Sequence, residues 1–149
     1  MKNVKKILLI VGISMIIIMV CALVFTYYIK SCDTQSDEVA AEIVRALVSR
    51  DVDRAYNMLH YDESREQFET EFISLCNGWY DKGGTAEYKL KQKKWRMHTE
   101  LVNGTRETSY TCLYYVYSGD AIFTLRFKRI ESEHGNGLKY FALGVLTDK

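Results

Sequence analysis

The chain has 149 residues, 20 Lys/Arg against 19 Asp/Glu, 48% hydrophobic residues, four cysteines and no proline. That length leaves room for one modest folded domain with a single core beyond any membrane segment. The near-neutral balance argues against nucleic acid as the main partner, because such binders normally present a strong net basic charge.

Ile7 to Ile29 is a run of 23 residues without a charge, preceded by Lys2, Lys5 and Lys6. A helix of that length reaches about 35 Å at 1.5 Å per residue, enough to cross a hydrocarbon core of about 30 Å with some tilt. The lysines precede the span and Asp33, Asp37 and Glu38 follow it, so the N-terminus is expected in the cytoplasm and the remainder outside. Tyr27 and Tyr28 sit where amphipathic rings favour the headgroup boundary. Two rival readings stay open. A cleaved signal has a shorter apolar core and a small-residue cleavage site. A lipoprotein would be anchored at Cys32, which Ile29 and Ser31 suit and Lys30 does not. The expected organisation is a cytoplasmic tip and anchor over 1–30, a short linker over 31–36, and a folded domain over 37–149. Extended, that linker spans at most about 25 Å, which keeps the domain near the outer leaflet.

Charge then divides the domain. Residues 33–81 hold 12 acids against 4 bases, a net of −8, and residues 82–149 hold 7 against 12, a net of +5. In the acidic half, Val39, Ile43, Ala46 and Leu47 fall at i, i+4, i+7 and i+8 and predict a helix from about Asp37 to Ser49. A bend near Arg50 precedes Asp51, a good N-cap for a short helix carrying Val52, Ala55, Tyr56 and Leu59 on one stripe. Ser64 with Gln67 three residues on is a capping-box pattern for a third helix, with Phe68, Phe72, Leu75 and Cys76 on one face and Gly78 as its stop.

In the basic half the period changes to two. Thr85 to about Leu101 reads as a first strand, turned by Asn103-Gly104 into a second over 108–117. Asn103-Gly104-Thr105 also fits a glycosylation acceptor pattern, which its turn role makes unnecessary. Ser118-Gly119-Asp120 turns the chain into Ala121–Lys128, where Phe123, Leu125 and Phe127 alternate with Thr124, Arg126 and Lys128. His134-Gly135-Asn136-Gly137 makes a hairpin tip before a last strand from Leu138 to Leu146. Helices followed by an antiparallel meander define an α+β class, with three helices packed on one face of a four-stranded sheet.

The run Ala46-Leu47-Val48-Ser49-Arg50-Asp51-Val52-Asp53-Arg54-Ala55-Tyr56-Asn57-Met58-Leu59, followed by the Phe68/Phe72 helix, resembles the opening of small domains of the nuclear transport factor 2-like, or cystatin-like, superfamily. The closing Gly137-Leu138-Lys139-Tyr140-Phe141-Ala142-Leu143 is similar to that family's final strand, with Tyr140 and Phe141 in place of its usual tryptophan. The resemblance covers about residues 37–147 and implies a cone in which a curved sheet wraps the helices around an apolar pocket. Some members are isomerases or hydratases, and many bind small apolar ligands. A membrane span followed directly by such a domain also resembles scaffold subunits of type IV secretion complexes, although those chains are usually longer. Fold alone does not assign function.

Cys21 lies inside the apolar run and reads as a small filler. Cys76 and Cys112 lie on elements that pack together in the resembled fold, so a disulfide between them and a pair of buried free thiols are both open readings. His60, His98 and His134 are far apart with no HExxH or CxxC pattern, so neither a metal site nor a cofactor is expected. No nucleophile, base and orienting group can be assembled, and no catalytic residue is assigned.

The most unusual stretch runs from Lys89 to Arg96, where Lys89, Lys91, Lys93, Lys94 and Arg96 surround Trp95. It reads either as an anionic-surface contact or as an edge strand whose lysines discourage pairing. The sequence therefore points to a single-pass, non-catalytic binding or scaffold module for a protein partner, a second copy or an envelope ligand. A pocket-containing small-molecule binder or isomerase-like enzyme is the alternative.

Overall fold

A computed structural model describes residues 2–59, 64–133 and 135–147. They fall into two compact units, Met1–Gln35 and Ser36–Lys149. The first is helical and forms the start of α1 (Lys2–Ser49). Its large side chains from Ile10 to Phe25 are exposed, and the helix is long and apolar enough to cross a membrane. Ser14 and Thr26 donate their hydroxyls back to the carbonyls of Ile10 and Ala22, which removes the cost of carrying them in an apolar setting. Residues 31–36, expected as a linker, are helical too. Nothing there breaks a helix, and Thr34 again donates to the carbonyl four residues back, at Lys30.

The second unit is α+β. After the remainder of α1 come α2 (Val52–Asn57), α3 (Arg65–Asp81) and the strands β1 (Lys89–Val102), β2 (Thr105–Ser118), β3 (Ala121–Ser132) and β4 (Gly135–Thr147). The strands form one antiparallel sheet in the order β1-β2-β3-β4.

Within this unit α1 buries Ala40, Ile43, Val44, Ala46 and Leu47 completely, whereas Val39, expected on the stripe, is half-buried. The bend at Arg50 is real: its φ of 55° is left-handed, and Asp51 N–H donates to Ala46 O while Arg50 N–H donates to Leu47 O. The Arg50 guanidinium lies over the Tyr80 ring, and Tyr80 donates to Val48 O. Asp51 caps α2 by accepting from Arg54 N–H at 2.9 Å.

Two expectations for α3 fail. Ser64 is the N-cap but makes no side-chain cap bond, and Gln67 turns outward to Glu71 instead of closing a capping box. Gly78 does not end the helix. The helix runs on to Asp81 because Trp79, one residue later, is fully buried with its ring stacked 4.3 Å from that of Phe123. The stop comes at Gly83, where φ is +85°, Gly83 N–H donates to Tyr80 O and Gly84 N–H donates to Trp79 O.

The strands are longer than expected except at the start of β1, which begins at Lys89 rather than Thr85. Thr85 to Tyr88 is held in other ways: Ser118 Oγ accepts from Thr85 N–H and donates to Glu87 O, and Tyr88 donates to Ala41 O. Asn103 and Gly104 both have positive φ and join Val102 to Thr105 in a two-residue hairpin. Gly119 does the same between Ser118 and Ala121. β3 and β4 meet at Ser132 and Gly135, so the tip expected at 134–137 lies further towards β3. His134 itself is outside the described residues, as is His60.

The core between helices and sheet is aromatic. Phe68 and Phe72 pack edge-on to Phe141, Trp79 stacks on Phe123, and Tyr114 stacks on Phe127. α3 thus covers the β3–β4 half of one face, while α1 covers the β1–β2 half through Ser36, Asp37 and Ala41. A Cβ on Gly84 would lie 2.6 Å from the Trp79 carbonyl and 2.5 Å from its Nε1. Gly84→Ala is therefore expected to destabilise the second unit by about 2 kcal/mol or more, and Trp79→Ala by about 3–5 kcal/mol. Denaturant unfolding of the detergent-solubilised protein reads both.

Candidate functional site

With the helices on one face, the middle of the other face is open, whereas Ser109 and Ile130, next on that face beyond Thr111 and Lys128, are buried. Because paired strand residues share a face, the register places three rows across the open part. They are Lys91–Tyr115–Thr124–Gly144, Lys94–Leu113–Arg126–Ala142 and Arg96–Thr111–Lys128–Tyr140, with Lys89–Tyr117–Ile122 beyond. These rows contain no acid, and among the described residues none of their cations forms an ion pair. A shallow groove of about 380 Å³ runs between Lys94, Arg96, Thr111, Leu113, Arg126 and Tyr140. A second, of about 360 Å³, continues past Tyr115 and Thr124 and shares Leu113 and Arg126.

A single bulge assembles this surface. Gln92 pairs with Tyr114 and Lys94 with Leu113, leaving Lys93 without an opposite residue. Strict alternation would put Lys94 and Arg96 on the face opposite Lys89 and Lys91. The extra residue resets the phase, so all four emerge on the helix-free side, and Lys93 Nζ lies 5.3 Å from the centre of the Tyr115 ring. Five of the six residues read as an anionic contact are therefore gathered on one side. Trp95 is not: it pairs with Cys112 on the helix side and packs against Tyr110. Its neighbour there, buried Arg129, lies over the Tyr110 ring and pairs with Glu131. β1 is also an edge strand, as the alternative reading required. Arg126 and Lys128 sit on interior strand β3, however, where edge protection has no use for them. Sequence reading passed over these two as ordinary outward residues of an alternating strand.

The helix side holds a carboxylate–tyrosine pair from elements distant in sequence. Tyr114, fully buried, donates to Asp37 Oδ1 at 2.7 Å and accepts from Gln92 Nε2 at 3.1 Å. Burial, and then the bond to the Asp37 carboxylate, hold the phenol far above the ordinary tyrosine range. The cleft between α3 and β4 lined by Phe68, Phe72, Leu75 and Phe141 amounts to about 80 Å³.

Cys76 and Cys112 are buried. Cys76 lies on α3, over the β3–β4 half, and burial raises its thiol pKa against the opposing pull of Arg50. Cys112 is under α1, its Sγ 3.5 Å from Ser36 Oγ. Cys76 thus sits on α3 itself and Cys112 on β2 beneath α1. Cys21 and Cys32 lie in α1. Among the described residues no group of three or more His, Cys, Asp or Glu is placed to hold a metal ion.

No protein-family model, curated protein or solved structure matches the chain.

The Tyr114 bond has a pH signature. The folded pKa lies above the unfolded value of about 10, so the fold favours the neutral phenol; its contribution is complete below about pH 10 and is lost as pH rises beyond that. Tyr114→Phe is expected to flatten the fall in stability above pH 10, measured by denaturation midpoints from pH 8 to 11. The same phenol should stay protonated in alkaline absorbance titration until the protein unfolds.

Proposed function

We propose that this chain is a membrane-anchored, non-catalytic binding module, its N-terminus in the cytoplasm and its α+β unit outside, which engages an anionic partner through the helix-free face of the sheet. The partner is an acidic protein segment or an anionic envelope polymer. The supporting observation is the extension of the cationic face from edge strand β1 onto interior β3 through Arg126 and Lys128, with Tyr115, Tyr117 and Tyr140 interleaved. Unpaired cations flanking half-exposed rings suit an extended anionic ligand, adding charge complementarity to flat stacking area. The helix-side aromatics pack on one another, which supports a surface contact over pocket chemistry. The resemblance to nuclear transport factor 2-like domains agrees with a binding scaffold and adds no ligand.

Full-length protein in nanodiscs of neutral lipid, titrated with a polyglutamate peptide and with an anionic polysaccharide, tests this reading. At least one should bind with an affinity that falls as salt rises from about 50 to 500 mM. The Lys94→Glu/Arg126→Glu variant should weaken binding at least tenfold, while stability moves by no more than about 0.5 kcal/mol, since both residues are exposed. Absence of binding to either probe, or binding indifferent to the two substitutions, would overturn it.

A further inference from the structure

The two edges of the sheet are built differently. β1 carries five cations between Lys89 and Arg96, whereas β4 carries no charge from Tyr140 to Leu146. Charges, prolines and covering elements are the usual protection of an edge against pairing. Among the described residues β4 is covered at its start, where Leu138 N–H donates to Met58 O and Leu59 bridges Leu138 in parallel. Among the described residues no element pairs with its outer side beyond that point. Lys139 and Leu146 are bulged relative to β3, and between them Tyr140 to Val145 is a regular strand. Tyr140, Val145 and Leu146 are each exposed by more than 40%, a high value for large apolar side chains clustered on one strand.

We infer that the β4 edge is a self-association seam, at which two copies of this chain pair antiparallel about a twofold axis at Leu143. The pattern is self-complementary in that register. On the helix side Phe141 of one copy falls opposite Val145 of the other, with Leu143 opposite its mate; on the bare side Ala142 falls opposite Gly144. No like charges meet. Gly144 is itself constrained to be small, because a Cβ there would lie 2.9 Å from Thr124 Oγ1. A second copy is favoured over head-to-tail stacking because β4 against a neighbour's β1 would extend without limit and would set apolar residues against lysines. In the twofold pair the two β3 strands are three spacings apart, about 14 Å, beyond the screening length at physiological salt, so the Arg126 and Lys128 cations do not oppose assembly. The two bare faces then join into one eight-stranded surface. This inference stands on the edge alone and does not depend on the anionic-ligand reading.

The test uses full-length protein in detergent, by native mass spectrometry over a hundredfold concentration range and by cysteine crosslinking. A dimer is expected. Ala142→Lys, a change at an exposed position on the bare face, should raise its dissociation constant at least tenfold with an unchanged circular dichroism spectrum. In a Cys21→Ala background, Leu143→Cys should yield a disulfide-linked dimer under mild oxidation, and Tyr117→Cys, exposed on β2, should not. A monomer at every concentration would overturn the inference. So would a dimer that Ala142→Lys leaves intact and Leu143→Cys fails to capture, since that dimer uses another surface, such as the apolar helix.

Discussion

Successive side chains along a strand point to opposite sides, and this alternation is the constraint under which the second unit is built. Three helices can bury only one side of a four-stranded sheet. The apolar set Tyr114, Val116, Phe123, Leu125 and Phe127 must therefore stay in phase on two strands at once, packed under α1 and α3. Whatever occupies the intervening positions is left to solvent or to a partner. The exposed chemistry of the protein is thus the complement of its core, read from the same strands one residue out of step.

Within that constraint the bulge at Lys93 is the most consequential local feature. It leaves Gln92 and Trp95 facing the helices and brings Lys94 and Arg96 round to the other side, so a strand too cationic to alternate cleanly serves both faces. The local twist that accompanies such an insertion also suits an edge strand, because it turns the free backbone away from a flat partner. The opposite edge has bulges too, but they bracket a straight uncharged segment rather than interrupt it.

Much of this architecture was legible in the residues. The 3.6-residue period over 39–47, the Asp51 cap, the Asn103-Gly104 turn and the alternation over 121–128 each rest on local chemistry, and local chemistry is what a sequence states directly. Long-range effects were not legible. Gly78 has the character of a helix stop, yet α3 passes through it because burying Trp79 against Phe123 outweighs the small propensity cost of a mid-helix glycine. Ser64 and Gln67 have the spacing of a capping box, but nothing in that spacing reveals that Glu71 competes for the amide. Of the candidate surface, the β1 cations were visible as a cluster; their phase was not, since one bulge decides it. Arg126 and Lys128 joined them only once register was known. Asp37 and Tyr114 are 77 positions apart, and no spacing rule pairs them.

That pairing makes the Tyr114 hydroxyl a gauge of alignment. It answers to α1 through Asp37 and to β1 through Gln92 while fixed on β2, so three elements share one directional point of reference, beside the Tyr88–Ala41 and Cys112–Ser36 contacts to α1. Greasy contacts tolerate a helix turned by one residue, about 100°, whereas a phenol stranded among Phe127 and its neighbours does not. Uniqueness of the native arrangement, as distinct from its depth, draws on that oxygen and on the few other long-range polar contacts around it.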